Sequence, residues 1–189
     1  MRYSREVQMV LNKDKLAKAA QEGTVTIAAE TILGVYAKLR QLANGYMYDE
    51  DHNLVDLSKN HPKISELKDI MDGTGEKVII WANTHGEVAT LTQALSGYNI
   101  VTYHGHMSKE ERLESIQKFK TDPKVRAILA TIPAMSVGHT LNEASIEVFY
   151  SNPLAYTDRI QAEDRPHRIG QTKSITIIDL VMAKTVEEN

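Results

Sequence analysis

The chain has 189 residues, of which 42% are hydrophobic and 25% are charged, and its formal net charge is −3. This composition is ordinary for one globular domain, or for one domain with an appendage, and the charge gives no overall basic field that would attract a nucleic acid. The absence of cysteine excludes disulfides, thiolate catalysis and cysteine zinc sites. No stretch approaches the roughly 18 apolar residues of a membrane span, and there is no secretory pattern at the N-terminus. We therefore expect an intracellular protein with no membrane partner.

Residues 1–62 are predicted to form a mainly helical connector that contains one short strand. Val7–Leu11 has the apolar pattern of that strand, and a short helix is predicted over 13–22. The polar stretch 49–62 is interpreted as a linker or as an excursion from the main fold.

A longer helix is predicted within Thr26–Gly45, because its apolar residues recur at helical spacing and Asn44-Gly45 is a good helix stop. The apolar positions are Ile32, Val35, Tyr36, Leu39 and Leu42.

Residues 63–189 are predicted to form an α/β domain in which strands and helices alternate. The predicted strands are Val78–Ala82, Ile100–Tyr103, Val125–Thr131, Ile146–Tyr150 and Ser174–Val181. The predicted helices are Lys63–Asp72, Glu87–Leu95, Lys109–Lys120 and Tyr156–Arg165. Ser108 and Glu111 have the spacing of a capping box at the start of the third helix. This alternation predicts a parallel sheet with helices on both faces.

Parallel sheets of this kind bind ligands beyond the carboxyl ends of their strands. His104-Gly105, Thr131 and Ser151-Asn152 all follow or end predicted strands, and Asn83-Thr84 is a weaker candidate of the same kind. Gly105 would let a ligand approach the backbone closely. His104 and His106 have a spacing found in metal sites, but no third ligand has a convincing spacing, so no metal site is predicted.

The sequence supports neither a phosphate-binding loop nor a magnesium-binding carboxylate box. The chain contains no Gly-Lys-Ser or Gly-Lys-Thr, so a self-sufficient phosphate-binding loop is excluded. Asp49–His52 has the letters of an Asp-Glu-x-His magnesium box, but it does not follow a buried strand, and we interpret the match as coincidence.

The stretch Gln161–Gln171 has the strongest chemical signal. Arg165 and Arg168 would present two permanently charged, planar guanidinium groups to one small region, and phosphate oxygens are a natural target for such a pair. Gln161 lies four residues before Arg165 and seven before Arg168, so a continuous helix would place all three on one face. Pro166 disfavours helical geometry at Arg165, so we expect the arginines at the helix end and in the turn after it.

Taken together, four ordered segments resemble the motifs of the second RecA-like lobe of superfamily-two helicases, and within them the Swi/Snf-type ATP-dependent DNA translocases. The segments are Val78–Thr84 (motif IV), Tyr103–Arg112 (the following motif), Ala130–Leu141 (motif V) and Gln161–Gln171 (motif VI). The Arg-x-His-Arg-Ile-Gly-Gln ending of the last segment is highly specific to the Swi/Snf group. Lys38–Gly45 and His61–Lys63 resemble the helical connector ahead of this lobe, particularly in bacteriophage-type members.

The resemblance implies roles at a nucleotide site. Arg168 matches the arginine finger that reaches the γ-phosphate of ATP, and Arg165 matches its partner at the same interface. Gln161 matches the glutamine that organises that contact, and Gly138, in the motif V turn, is the second residue assigned to cofactor binding. ATP and Mg²⁺ would be held mainly by an N-terminal RecA-like lobe that this chain does not contain.

The resemblance also implies a track for double-stranded DNA. Thr131 would contact the phosphate backbone, and His104 and Gly105 lie where backbone amides of the family meet DNA phosphates. Asn83 and Thr84 follow the first core strand and are included as further DNA-binding candidates.

The chain departs from the family pattern in motif V. Met135-Ser136 replaces the usual Gly-Gly pair, and His139-Thr140 replaces the usual Leu-Asn. The missing first lobe and the ending at Thr185–Asn189 lead us to expect a fragment of a larger protein. The predicted function is the C-terminal motor lobe of a Swi/Snf-type, DNA-stimulated ATPase, in the cytoplasm of a bacterial or phage-infected cell or in a eukaryotic nucleus. The alternative is a non-catalytic nucleic-acid-binding or scaffold module.

Overall fold

The computed structural model describes residues 32–136, 139–167 and 171–188. The predicted strand Val7–Leu11 and the predicted helix over 13–22 lie outside the described residues, and so do Gly138 and Arg168. Within the described ranges, no helix is long and apolar enough to cross a membrane.

The described elements follow the predicted alternation. The helices are α1 (Ile32–Ala43), α2 (Pro62–Gly73), α3 (His85–Ala94), α4 (Lys109–Thr121) and α5 (Tyr156–Glu163), with short 3-10 helices at Ala134–Ser136 and Val186–Glu188. The strands are β1 (Tyr46–Tyr48), β2 (Leu54–Asp56), β3 (Lys77–Ala82), β4 (Ile100–Tyr103), β5 (Ala127–Thr131), β6 (Ala144–Phe149) and β7 (Thr176–Asp179).

Five of these strands form one parallel sheet in the order β4-β5-β3-β6-β7. The central strand β3 is buried from Val78 to Ala82, and its side chains alternate between two apolar layers. Val78 and Ile80 pack in the same layer as residues of α2 and α3, whereas Ile79 and Trp81 pack in the layer that contains residues of α4 and α5. The predicted α/β fold with helices on both faces is confirmed.

Two elements, α5 and β7, are shorter in the structure than predicted. Helix α5 ends at Glu163 rather than Arg165 because Pro166 disfavours helical geometry in the residue before it. Strand β7 is shorter than the predicted Ser174–Val181, and its pairing ends where the N–H of Leu180 donates to Phe149 O at 3.0 Å. Helix α4 begins as predicted, with the full capping box of Ser108 and Glu111.

The interpretation of 49–62 as a linker is wrong in its first part, which completes an antiparallel hairpin of β1 and β2. Both carboxylate oxygens of Asp49 form the turn, accepting from the N–H of Asn53 at 2.8 Å and from its Nδ2 at 3.1 Å. The pattern was missed because β2 is mostly exposed and polar, so the strand depends on its partner rather than on apolar alternation. Asp49–His52 is this turn, as expected of a chance match to the magnesium box.

The hairpin packs tightly on the start of α3. Tyr46 is 2% exposed, its hydroxyl lies 2.7 Å from Thr84 Oγ1, and its ring covers Gly86. A Cβ at Gly86 would lie 2.3 Å from Tyr46 Cε2 and 2.7 Å from Cδ2, closer than atoms can approach. Only glycine therefore fits beneath this ring.

We expect Gly86→Ala to lower the free energy of unfolding by about 1–3 kcal/mol, because the buried ring must shift to accommodate the new methyl group. Urea unfolding measures the change. The matched control is Gly97→Ala, where a Cβ would meet nothing within 4 Å, and there the change should stay within about 0.5 kcal/mol. Equal effects at both positions would contradict the packing of the hairpin on α3.

Candidate functional site

The residues predicted to contact DNA lie along one edge of the sheet. Strands β4, β5 and β3 are neighbours and run parallel, so their carboxyl ends face the same side. Asn83-Thr84 follows β3, His104-Gly105 follows β4, and Thr131 is the last residue of β5. The structure thus brings the predicted DNA-binding residues to a common edge, although their side chains are used in different ways.

The side chains of Asn83 and Thr84 are engaged within the protein. Asn83 Nδ2 donates to Ser151 O at 2.9 Å and to Ser151 Oγ at 2.8 Å. Thr84 is the N-cap of α3, where its Oγ1 accepts from the N–H of Glu87 at 3.2 Å and also contacts the Tyr46 hydroxyl. Both side chains therefore shape the edge, and a ligand would meet mainly the backbone here.

Thr131 is also largely withdrawn from the surface, with 7% of its area exposed. Its strand is buried along its whole length, and Thr131 pairs with Ala82 of β3. Gly105 is exposed, and a Cβ there would meet nothing within 4 Å. The loop after β4 is therefore the more accessible part of the predicted track.

A buried carboxylate, Glu87, organises this edge, and the sequence interpretation assigned it no role. It is 2% exposed, and its Oε2 accepts from the N–H of Asn83 at 2.7 Å and from Ser151 Oγ at 2.6 Å. Its Oε1 accepts from Asn44 Nδ2 at 3.4 Å. Burial raises the pKa of Glu87, and these hydrogen bonds oppose that rise. The Thr84-x-x-Glu87 spacing of a capping box was the available signal.

Lys63 continues this polar network toward the C-terminal segment. Its Nζ donates to Asn44 Oδ1 at 2.7 Å and to both carboxylate oxygens of Glu187 at 2.9 Å. The side chains of Lys63 and Glu187 are only 3% and 7% exposed, and the ammonium group lies 4.7 Å from the centre of the Tyr150 ring. Burial lowers the pKa of Lys63, whereas Glu187 acts to raise it. Residues far apart in sequence are thus joined beside the sheet edge.

Three histidines meet at the exposed end of the same edge. The ring of His85 lies 4.2 Å from that of His106 and 5.2 Å from that of His104, measured between centroids. The rings of His104 and His106 are 6.1 Å apart. No group of three or more histidine, aspartate or glutamate side chains suited to a metal ion occurs among the described residues.

Gln161 and Arg165, from the predicted phosphate-binding stretch, lie together at the end of α5. Gln161 is exposed, but Arg165 is only 5% exposed and lines a crevice with room for about one water molecule, between α5 and the loop after β5. The Arg165 carbonyl accepts from the N–H of Leu141 at 3.0 Å. Arg165 therefore packs inside the lobe rather than extending from it.

Gln171 has a structural role that the sequence did not reveal. Its Nε2 lies 3.0 Å from Ala144 O, 3.2 Å from Asn142 O and 3.4 Å from Pro166 O. One side-chain amide thus bonds the stretch after α5 to the start of β6. A single glutamine in a turn gives no sequence signal for such contacts.

Glu147 is a second buried carboxylate, in the β6 layer that packs against α5. Its Oε2 accepts from Trp81 Nε1 at 2.7 Å, whereas its Oε1 is buried without a hydrogen-bond partner. Burial raises the pKa of Glu147 to about 8, and the nearby carboxylate of Glu163 adds to the rise. The side chain is therefore mostly protonated at neutral pH.

Comparison with known proteins identifies this architecture. The family model of the helicase conserved C-terminal domain matches residues 62–170. Human lymphoid-specific helicase is 32% identical over 116 residues, which cover 60% of this chain and 14% of that protein. Helicase ssl-1 of Caenorhabditis elegans is 36% identical over 93 residues, or 49% of this chain and 4% of that protein. The chromatin-remodeling ATPase INO80 of Saccharomyces cerevisiae is 28% identical over 128 residues, which cover 67% of this chain and 9% of that protein.

Among solved structures, the C-terminal part of the Fun30 ATPase domain matches with a TM-score of 0.67 and 27% identity, covering 71% of this chain and 45% of that chain. The family match covers more than half of the chain and includes motifs IV and V. The chain belongs to the family of helicase conserved C-terminal domains. Its relatives include helicases and remodelling ATPases, in agreement with the predicted Swi/Snf type. The chain spans 4% to 14% of the length of the three curated relatives named here.

Glu147→Gln should remove a pH dependence of stability. The folded pKa of about 8 lies above the ordinary 4.5, so the folded state keeps a proton that the unfolded state loses between these values. The free energy of unfolding therefore falls as pH rises through this window, and is level above it. In the wild type, the free energy of unfolding should fall by up to about 1.4 kcal/mol per pH unit across this window. The variant keeps an acceptor for Trp81 but should not show this fall.

Urea unfolding at a series of pH values measures this slope. The control is Glu66→Gln, an exposed position on α2, where the wild-type slope should persist. An unchanged slope in Glu147→Gln would mean that the carboxyl group is not the protonated one.

Proposed function

We propose that this chain is the C-terminal motor lobe of an ATP-dependent DNA translocase of the Swi/Snf type. The observation that supports this most strongly is the family match over residues 62–170. Within that range, the loops after β3, β4 and β5 lie at one edge of a five-stranded parallel sheet. In this proposal, double-stranded DNA lies along the edge formed by the loops after β3, β4 and β5. An N-terminal RecA-like lobe of the same protein completes the nucleotide site.

The proposed nucleotide site is shared between the two lobes. This chain has no phosphate-binding loop of its own, but the end of α5 offers the exposed amide of Gln161. ATP with Mg²⁺, held mainly by the other lobe, supplies the cleavable γ-phosphate. We assign Arg168 to contact with that phosphate, and Gly138 and Gln161 to the loop and helix that border it.

Arg165 has a different part in this proposal. Since only 5% of it is exposed, we assign it to positioning rather than to direct contact with the nucleotide. Its carbonyl receives the N–H of Leu141, and this bond joins the end of α5 to the segment that follows the motif V loop. Arg165 would thus act by fixing the end of α5, whereas direct contact with the nucleotide is assigned to Arg168.

The proposed DNA track depends on backbone more than on side chains. The side chains of Asn83 and Thr84 are engaged internally and Thr131 is 7% exposed, so backbone groups of these residues would meet DNA phosphates. His104 and Gly105 belong to the accessible loop after β4 and would approach the phosphates directly. Such contacts hold a strand without reading its sequence.

The cellular setting belongs to the proposal as well. The relatives named above come from human, a nematode and a yeast, and they lend no support to a bacteriophage-type relation, which stays a prediction. We place the protein with its DNA, in the nucleus of a eukaryote or in the cytoplasm of a bacterial or phage-infected cell.

Arg168→Ala in the full-length protein should reduce DNA-stimulated ATPase by at least about a hundredfold, because arginine fingers contribute about 10³–10⁵ in rate. DNA binding should remain measurable, since Arg168 is assigned to the nucleotide and not to the track. Steady-state phosphate release and duplex binding are the two measurements.

Lys118→Ala is the matched control, because this cation is exposed on α4 and, among the described residues, its ion pair is with Glu114 of the same helix. It should leave ATPase within about twofold of wild type, since such pairs contribute about 0.3–0.5 kcal/mol. Near-normal turnover in Arg168→Ala would rule out the finger. Absence of DNA-stimulated ATPase in the wild-type full-length protein would favour the non-catalytic binding module.

The chain alone should show negligible ATPase, because it lacks the phosphate-binding loop. Adding the N-terminal lobe as a separate polypeptide should restore DNA-stimulated phosphate release. Turnover by the chain alone, persisting after repurification, would contradict a site shared between lobes.

A further inference from the structure

The cluster of His85, His104 and His106 is a concentration of ionisable groups on the proposed track that the proposed function does not fully use. His104 and His106 come from the loop after β4, whereas His85 is the first residue of α3. Their ring centroids are separated by 4.2–6.1 Å. Two separate segments thus bring three imidazoles into one patch.

The patch is open to a large ligand. His85, Gly105 and His106 are exposed, and His104 is half-buried. One ring atom, His104 Nδ1, is buried without a hydrogen-bond partner. The loop therefore offers accessible imidazole edges around a glycine that leaves the backbone uncovered.

The charged groups around the patch do not neutralise a protonated imidazole well. Glu111 of α4 is the carboxylate that acts on His104, and its Oε2 is held by the N–H of Ser108 at 2.7 Å in the capping box. Glu87 of α3 is buried and directed into its own network. Arg112 of α4, which lies 5.9 Å from the Tyr103 ring centroid, adds positive charge beside the loop.

Proton uptake by the patch is accordingly unfavourable in the free lobe. Burial lowers the pKa of His85 and of His104, and in each case a neighbouring histidine lowers it further. His139, beyond the Tyr103 ring, also has a pKa lowered by burial and by nearby cations. Glu111 opposes this lowering of the pKa at His104, and an external anion would supply further counter-charge.

We propose that His85, His104 and His106 form a proton-dependent contact for the phosphate backbone of DNA, an inference that rests on the proposed function. At neutral pH His85 and His104, whose pKa values are lowered by burial, are mostly uncharged and the contact is weak. Acidification, or an approaching phosphate, converts the imidazoles to cations whose N–H groups donate to phosphate oxygens. The patch thereby increases the affinity of the protein for DNA as pH falls.

The test measures the dissociation constant of the full-length protein for a short blunt DNA duplex by fluorescence anisotropy. Buffers of equal ionic strength should span about pH 8 to about pH 5.5, with circular dichroism to verify folding at each pH. We expect affinity to rise about tenfold or more, because each proton taken up on binding raises the affinity about tenfold per pH unit between the pKa of the histidine in the free protein and its higher pKa in the complex. At the lower pH, the salt dependence should steepen by about 0.9 for each added phosphate contact.

Two variants test whether the cluster is responsible. His85→Asn with His106→Asn should lose most of the gain in duplex affinity between about pH 8 and about pH 5.5. His106→Lys should bind tightly across the whole range, because lysine stays charged. The control is His52→Asn, a surface histidine in the β1–β2 turn with φ of 62°, a conformation that asparagine tolerates. It should retain the wild-type pH profile.

The possible outcomes separate this inference from the function beneath it. Duplex binding that does not change with pH, or a gain that survives in the double variant, would overturn the histidine contact while leaving the motor lobe in place. Failure of DNA to bind or to stimulate ATPase at any pH would overturn both. Loss of the gain in the double variant, with the gain kept in His52→Asn, supports the contact.

Discussion

The described structure depends on one buried carboxylate. Glu87 would be costly to bury alone, and it is retained because the end of β3, the loop after β6 and the end of α1 each donate a hydrogen bond to it. These three segments are distant in sequence, so the carboxylate fixes their spacing more strictly than apolar contacts could. The hairpin that covers Gly86 and the network around Lys63 both lie against this fixed point. The helical segment ahead of the sheet is in this way part of the lobe's edge.

This arrangement divides the proposed site into a rigid part and an accessible part. Asn83 and Thr84 lie beside Glu87 and give their side chains to the fold, whereas the loop that carries His104 and His106 extends past it. In the proposed motor lobe, backbone groups at fixed positions would set the register of the DNA strand, and exposed imidazoles would adjust the strength of the contact. Arg165, which is buried, would belong to the rigid part.

The sheet, its helices and the capping box of α4 could be predicted from the sequence, because apolar runs such as Val78–Ala82 and the Ser108-x-x-Glu111 spacing are local signals. The hairpin could not, since β2 is polar and is held by its partner and by the Asp49 turn. The edge residues were correctly brought together, but the burial of Thr131 and Arg165 depends on packing between distant segments. The assembly of His85 with His104 was missed for the same reason, because it requires the strand order of the folded sheet.

The ion pair between Lys63 and Glu187 has a mechanical meaning. It joins positions 124 residues apart, so tension entering the lobe along the segment around Glu187 reaches α2 directly, without first passing through β7. Separating a buried ion pair leaves each charge without its partner until water reaches it, which is strongly unfavourable. The pair therefore resists such a pull. In the proposed DNA motor, this contact would help to keep the edge strand β7 in the sheet while force passes through the lobe.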